Sequence, residues 1–349
     1  MLITKAARTI LLMTTCGLAM LAPPLNSLAR SKREPVPEVV QPPPPVGLSD
    51  RFVADAAAYQ AYIERASAVS PNFANGAGVA DGLRTTAAYG PQALLRGAVA
   101  YGAVAALASP TFVASVRAAA TSEDNRHIIL GYLVSDPNYA IVFAGSDVAA
   151  GLAKEALMSS GTRLVATGKV IKASAYSVQH QAWSRELVVD PSGRLSAVEA
   201  AASGGLASAS DHEASLRSAS NGGAPLPITA AAEKPPYGPL VLRALQLAAI
   251  AALGEAGEEA YGRLNAATPD ADSEACLHMV RLNLNQCLAV AKPHYEDIFC
   301  MGQHAMTDTG ACLVKSSIVE IAPPPTVHAP VVEKPKAKTH TRPKRRRHH

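Results

Sequence analysis

Aromatic residues are scarce in this chain: Phe, Trp and Tyr together make up 5% of its 349 residues, and tryptophan occurs once. Strand-forming residues do not cluster in runs that alternate with polar ones, which argues against an amphipathic β-sheet. Hydrophobic residues nevertheless reach 48%, and alanine dominates them. Small side chains bury little area per residue, so the helices must approach each other closely. The composition predicts an all-α multi-helix bundle with close-packed, Ala/Gly-rich helices, and it excludes wholesale disorder.

Recognisable chemical motifs are also missing. The sequence contains no pattern typical of nucleophilic catalysis or nucleotide binding. Structural zinc sites usually hold cysteines in pairs about two to four residues apart, whereas the last four cysteines are separated by 11, 13 and 12 positions. We therefore predict no cofactor and no metal, and the sequence favours a protein that is not an enzyme.

The apolar run near the N-terminus is short. It follows Lys5 and Arg8 and extends over about 15 residues, against the roughly 20 that span a bilayer. Ser27–Ala29 then offers small residues at the positions that a signal peptidase requires. We predict a signal peptide at residues 1–29, cleaved after Ala29. An uncleaved membrane anchor and lipidation of Cys16 are the alternatives.

A second uncharged stretch, residues 97–116, is long enough to raise the question of a membrane span. Pro110 interrupts it, and its apolar content is mostly alanine and glycine. We predict instead a central buried helix with small residues at close crossings, and no integral span in the mature chain.

Cysteine usage agrees with secretion. Cleavage of the signal removes Cys16 and leaves an even number of cysteines in a chain bound for an oxidising compartment. The remaining four are Cys276, Cys287, Cys300 and Cys312. The first two lie 11 residues apart, so both face one side of a helix, which Lys292-Pro293 ends. The third lies in a second helix that begins near Pro293, and the fourth lies just beyond the helix-stopping sequence Asp308–Gly310.

Antiparallel packing of these two helices would bring Cys287 to Cys300 at the closed end of a hairpin and Cys276 to Cys312 at the open end. This nested pairing is our prediction among the three that four cysteines allow. The outer bridge closes a loop of about 37 residues. It should contribute roughly 3–4 kcal/mol by reducing the chain entropy of the unfolded state.

Proline-rich segments frame the body. Residues 30–47 and 322–349 contain many prolines, which remove backbone donors and favour extended polyproline structure, so we predict two disordered arms. Between them, the Gly-, Ser- and Pro-rich stretch 204–238 lacks periodicity, which indicates an interdomain linker or a disordered insertion. These boundaries define a helical domain at 48–203 and a second one, with the four-cysteine hairpin, at 239–321.

Capping residues and prolines divide the two domains into helices. Ser49 or Asp50 can cap the first helix, and Pro91 and Pro110 suit the first turn of two others. We predict helices at about 49–70, 91–108, 110–121, 124–135, 138–160, 162–188 and 240–264, with a short one that ends near 203. One face of the 162–188 helix is a narrow seam of small and apolar residues, which Trp183 should anchor against a close neighbour. The seam comprises Leu164, Gly168, Ile171, Ala175, Val178 and Ala182.

Charge is distributed unevenly. The whole chain carries +4, but residues 322–349 carry +7 and residues 1–46 carry +3, so residues 47–321 carry −6. A segment of such positive charge stays extended by self-repulsion and binds polyanions without reading sequence. The basic residues of this tail are Lys334, Lys336, Lys338, Arg342, Lys344, Arg345, Arg346 and Arg347.

We expect the tail to bind anionic envelope components, namely lipopolysaccharide, phospholipid headgroups or acidic polymers. Nucleic acid would be the partner only if the signal prediction is wrong. The alternative is a solubilising tail that folds back on the acidic body.

One polar cluster in the cysteine region could carry chemistry, because imidazole and carboxylate together bind metals and perform acid–base catalysis. Its members are His278, His294, Glu296, Asp297, His304 and Asp308. Ten residues separate His294 from His304, which places them about 80° apart around a helix. We therefore interpret the cluster as polar residues that cap and solvate the hairpin.

These observations predict a periplasmic or secreted helical protein of structural or interaction type. The first alternative is a cell-envelope hydrolase that uses His294, Glu296, His304 and Asp308. The second is a membrane-tethered scaffold that keeps its signal.

Overall fold

The computed structural model describes residues 45–207, 209–266 and 270–319, which form fourteen α-helices, one 3₁₀ helix (Pro137–Val142) and one π-helix (Met301–Asp308), with no β-strand among them. The α-helices are α1 (Asp50–Ser67), α2 (Gly76–Thr86), α3 (Pro91–Ala106), α4 (Pro110–Ala119), α5 (Glu123–Ser135), α6 (Ser146–Val178), α7 (Ala182–Arg185), α8 (Pro191–Ser203), α9 (Ser210–Ser220), α10 (Pro239–Leu253), α11 (Glu258–Ala266), α12 (Ala271–Val290), α13 (His294–Cys300) and α14 (Thr309–Ser317). The predicted all-α class is confirmed.

Local capping explains where the first helices begin. Pro91 and Pro110 occupy the first turns of α3 and α4, where the missing N–H group is not needed. The Ser109 hydroxyl accepts a hydrogen bond from the Phe112 N–H at 3.4 Å and caps α4. These starts are the ones that the sequence predicts.

Helices α3 and α10 form the centre of the core. Twelve of the fifteen residues of α10 are buried, as expected for a helix that is apolar on all sides. Helix α3 packs against α1, α6 and α10, and α10 also packs against α4, α5 and α14. The α3 part of the uncharged stretch is almost fully buried, as predicted. One hydrophobic core therefore includes side chains from both predicted helical segments.

Glycines bring α6 to backbone distance from the C-terminal helices. A Cβ atom on Gly161 would lie 2.8 Å from the carbonyl oxygen of Gly310 in α14, and one on Gly168 would lie 2.7 Å from that of Gly302 in the π-helix. Real Cβ atoms do not come so close to a backbone oxygen, so these glycines set the spacing of the helices. The seam on α6 is buried from Leu164 to Val178, as predicted, whereas Ala182 is exposed.

The middle of the chain differs from the prediction. The helices expected at 138–160 and 162–188 are wrong, because α6 runs from Ser146 to Val178 without a break. Gly145 separates it from the 3₁₀ helix with a φ of 81°, a left-handed conformation that glycine adopts at little cost. Trp183 does not lie on the seam. It is half-buried in the separate helix α7, where its indole N–H donates to the Gln181 side chain.

Two short helices are missing from the prediction. Asn75 caps α2 by accepting a hydrogen bond from the Gly78 N–H at 2.9 Å. Helix α9 lies inside the stretch that the sequence predicts as a linker or disordered insertion, and it packs against α1 and α3. Leu216, its one large apolar residue, is fully buried. A single apolar anchor gives no periodic signal, which is why the pattern does not predict α9.

Two predicted helix ends are also corrected. The helix expected at 240–264 is divided into α10 and α11 by Gly254, which has a φ of 80°. Asp308–Gly310 does not stop a helix, because α14 continues directly from the π-helix and contains Cys312. Gly310 serves the close contact with α6 and not a helix end.

We predict that Gly310→Ala lowers the free energy of unfolding by about 1–3 kcal/mol, because the added carbon meets the carbonyl oxygen of Gly161 and forces α6 and α14 apart. Gly131→Ala is the matched control, since a Cβ on this exposed residue of α5 meets nothing within 4 Å. The control should be stabilising by about 0.5–1 kcal/mol through helix propensity. Urea unfolding of both variants measures the difference, and stabilisation by both substitutions would contradict this account of the crossing.

Candidate functional site

Two nested disulfides join the helices of the C-terminal region. Cys287 at the end of α12 is bonded to Cys300 at the end of α13, with their Cα atoms 5.7 Å apart. Cys276 near the start of α12 is bonded to Cys312 in α14, with Cα atoms 5.9 Å apart. The predicted pairing is confirmed, and α12 to α14 form a helical hairpin bridged at both ends.

A buried ion pair attaches the hairpin to α8. The Arg194 guanidinium and the Asp297 carboxylate are in contact, with 6% and 3% of their side chains exposed. Arg194 also donates to the carbonyl oxygens of Leu288 and Ala291 at the end of α12. Burial raises the pKa of the Asp297 carboxyl, and the hydrogen bond from Arg194 opposes that rise. The buried negative charge of Asp297 is therefore stable only while Arg194 is present.

Further contacts fix the hairpin against the connection between α2 and α3 and against the chain before α8. The Tyr89 hydroxyl is 2.7 Å from the Thr309 hydroxyl, and both groups are buried. Arg281 donates to the carbonyl oxygen of Ala87 at 3.1 Å. The Val188 N–H donates to the carbonyl oxygen of Lys292 at 2.9 Å. The hairpin is held on several sides and acts as part of the core.

The candidate catalytic residues are divided between two places. The Glu296 carboxylate accepts a hydrogen bond from the Lys292 N–H at 2.8 Å, and the His294 ring packs against Gly76 of α2. His304 Nδ1 lies 2.8 Å from an oxygen of Asp308, one helical turn away on the π-helix. Among the described residues, no hydrogen bond or ion pair joins the first pair of side chains to the second. The four residues are thus engaged in separate contacts.

The His304–Asp308 pair belongs to a longer polar network on the π-helix. Gln303 donates to the second oxygen of Asp308 at 2.8 Å, and Lys172 of α6 donates to Gln303 at 2.7 Å. The Lys172 ammonium also lies 5.0 Å from the centre of the Phe299 ring. This network joins α6 to the hairpin, and among the described histidines of the predicted cluster His304 has the shortest contact with a carboxylate.

Metal binding finds no further support in the geometry. Within the three described ranges, no group of three His, Cys, Asp or Glu side chains is placed to hold a metal ion. The remaining imidazole of the predicted cluster, His278, is exposed and lies 3.3 Å from Glu274. This pair is on the surface of α12.

A second perturbed carboxyl lies outside the hairpin, where sequence reasoning did not place a candidate. The Tyr261 hydroxyl of α11 donates to Asp55 of α1 at 2.7 Å. Burial raises the pKa of Asp55, and burial together with this carboxylate raises the pKa of Tyr261 to about 12. Arg51 lies 4.0 Å from the centre of the tyrosine ring. These contacts join α11 to α1.

Two open grooves flank the hairpin. The aromatic groove, of about 380 Å³, lies beside the Cys287–Cys300 bridge, and its walls include Tyr176, Val290, Tyr295 and Phe299. The hairpin groove, of about 900 Å³, lies beside the other bridge. Its walls are formed by α12, α14 and residues 236–239, and they include Tyr237, Cys276, Met279, Val280, Cys312 and Ile318. Both grooves are predominantly apolar surfaces.

Several predictions concern residues outside the described ranges: the signal at 1–29 with Cys16 and the cleavage after Ala29, most of the proline-rich arm at 30–47, and the basic tail. In the part that the structure describes, no single helix has the length and hydropathy to span a membrane. Helices α3 and α4 reach that length only together, and they meet at an angle of 93°.

No protein-family model, curated protein sequence or solved structure matches this chain. The fold therefore defines the protein only as a disulfide-bridged, all-α bundle.

We predict that Arg194→Met lowers the free energy of unfolding by about 3–5 kcal/mol near neutral pH, because it leaves a buried carboxylate without its partner. The double variant Arg194→Met/Asp297→Leu should recover most of this loss, since no charge remains buried. Chemical unfolding of these two variants, of Asp297→Leu and of the wild type gives the four free energies of a double-mutant cycle.

The pH dependence has a defined sign. In Arg194→Met, the folded state binds a proton at Asp297 more tightly than the unfolded state, whose aspartates titrate near about 3.9. The destabilisation should therefore shrink as the pH falls through the raised pKa of Asp297 and be largest above it. A loss that is unchanged from acidic to alkaline pH would show that Arg194 acts through packing and not through charge.

Proposed function

We propose that this protein is a non-catalytic helical protein of structural or interaction type that works in the periplasm or outside the cell. The observation that carries this proposal is the separate engagement of the candidate catalytic groups. Glu296 caps a backbone N–H, Asp297 pairs with Arg194, and His304 pairs with Asp308. Each contact stabilises the hairpin or its junction with the other helices.

The two disulfides support the proposed compartment. Structural disulfides persist in oxidising environments and are rare in the reducing cytosol. The predicted signal peptide agrees with this destination. A membrane-tethered scaffold with a retained signal is the alternative, and the intact mass of the mature protein distinguishes the two.

In this proposal the tail, residues 331–349, supplies the binding activity. It carries the eight lysine and arginine side chains identified above, whereas residues 47–321 carry −6. An acidic body is repelled by an anionic surface, so a basic segment at the chain end is the part suited to lipopolysaccharide, phospholipid headgroups or acidic polymers. Counterion release would make such binding strong at low salt and weak at high salt.

We predict that deleting residues 331–349 weakens binding to anionic vesicles, by up to about 1 kcal/mol for each basic residue that lies near the surface. A full-length variant with all eight basic residues changed to Gln is the matched control for chain length, and it should bind as weakly as the deletion. Sedimentation with anionic phospholipid, with lipopolysaccharide and with neutral vesicles, each over a range of salt, separates the ligand classes. Equal binding by the truncated and full-length chains at low salt would place recognition in the body.

One observation favours the hydrolase alternative. The Asp308 carboxylate is positioned to orient the His304 imidazole. A carboxylate and a general base of this kind are two of the three members of a nucleophilic triad. An enzyme of this kind would work without His294 and Glu296, because these residues are engaged elsewhere.

We predict that the purified protein hydrolyses cell-wall and ester substrates no faster than His304→Gln does. His278→Gln is the control, because its imidazole forms a comparable pair with Glu274 on the surface of α12. Activity in the wild type and in His278→Gln that disappears in both His304→Gln and Asp308→Asn, with unchanged helicity by circular dichroism, would replace the present proposal with the enzyme.

A further inference from the structure

The hairpin groove is large and open, and its floor is apolar. Its volume of about 900 Å³ lies at the upper end of the range typical of ligand sites. The Cys276–Cys312 bridge and Val280 form part of the lining, and Met279 is 55% exposed beside them. An exposed methionine next to a disulfide and aliphatic side chains offers a surface that adapts to an extended chain.

Three carboxylates also belong to the lining of this groove. Asp270 and Asp272 lie at the start of α12, and Asp308 lies at the junction of the π-helix and α14. Lys315 is the one basic residue among the described residues that line the groove. The lining therefore has an acidic excess, which favours an occupant that is apolar at its centre and positively charged at its edges.

The chain leaves the described part of the structure from the wall of this groove. Ile318 and Val319 belong to the lining, and thirty further residues follow them in the sequence. Lys334 lies 15 residues beyond Val319, and an extended chain of that many residues spans up to about 50 Å. Helix α12, with 20 residues, is about 30 Å long. The tail is therefore long enough to return along the whole groove, and its tether supplies an effective concentration of about 1 mM.

One part of the tail matches the groove chemically. Val331 and Val332 are apolar, and Lys334, Lys336 and Lys338 follow at every second position. A β-strand conformation, in which side chains alternate between two sides, would place these three lysines on one side. Pro335 among them restricts its own φ angle and lowers the entropy lost on binding.

We propose that residues Val331–Lys338 bind in the hairpin groove of their own chain, with the valines on the apolar floor and the lysines facing Asp270, Asp272 and Asp308. This contact depends only on the hairpin groove and on the opposite charges of the lysines and the aspartates. Its consequence rests on the function proposed above: polyanions and the acidic rim would compete for the same lysines, so that binding an anionic surface uncovers the groove.

Met279 provides a reporter in the full-length, disulfide-bonded protein. Its oxidation by hydrogen peroxide can be followed by mass spectrometry, with half-buried Met158 on α6 as the internal reference. At low salt, Met279 should be oxidised about fivefold more slowly than in Lys334→Gln/Lys336→Gln/Lys338→Gln, as expected for a weak contact held by a tether. The difference should vanish at about 1 M salt, where charges are screened beyond about 3 Å.

Rim variants complete the experiment. Asp270→Asn/Asp272→Asn should release Met279, and asparagine preserves the cap that Asp270 forms on α12. Glu123→Gln/Asp124→Asn removes the same charge from α5, outside the groove, and should leave Met279 protected. Identical Met279 rates in the wild type and the triple-lysine variant would overturn the proposal, as would protection that grows with protein concentration, since a second copy would then be the occupant. No polyanion is present, so these outcomes are independent of vesicle binding.

Discussion

The crossing of α6 with the C-terminal helices is the constraint on which the rest of the fold depends. With few aromatic side chains available, stability has to come from long helices packed at short distance, and Gly161 and Gly168 allow this by placing α6 against backbone atoms of Gly310 and Gly302. The crossing also requires an uninterrupted α6 and a helix that continues through Gly310. The corrections at residue 161 and at Asp308–Gly310 thus have one origin, because Gly161 and Gly310 lie within continuous helices and form the contact between them.

The hairpin is stabilised at two levels. Its disulfides restrict the unfolded chain and fix the hairpin's own geometry, whereas its position on the bundle depends on noncovalent contacts such as Arg194–Asp297. Each groove lies beside one of the disulfides, because Cys287 and Cys300 line the aromatic groove and Cys276 and Cys312 line the hairpin groove.

The candidate site shows how far sequence reasoning extends. The nested disulfides could be predicted because cysteine spacing and helix geometry are local properties. The four polar candidates could be recognised because imidazole and carboxylate groups can perform acid–base chemistry. Their separation could not be predicted. The His294 ring lies against Gly76 of α2, and the Asp308 network includes Lys172 of α6. Neither neighbour is near in sequence. Arg194 carried no signal either, because its partner lies 103 residues away.

Composition and local pattern determined the helical class, the starts of α3 and α4, and the cysteine pairing, because each follows from backbone chemistry or helix periodicity within a short segment. The tertiary structure decided which glycines pack and which end helices, as at Gly310 and Gly254, because that choice depends on whether another backbone lies opposite. It also decided that α9 forms, because the single buried leucine of this helix is covered only when α9 packs against α1 and α3. The acidic hairpin groove was likewise decided by tertiary structure, since its walls join residues 236–239 to helices that begin more than thirty positions later.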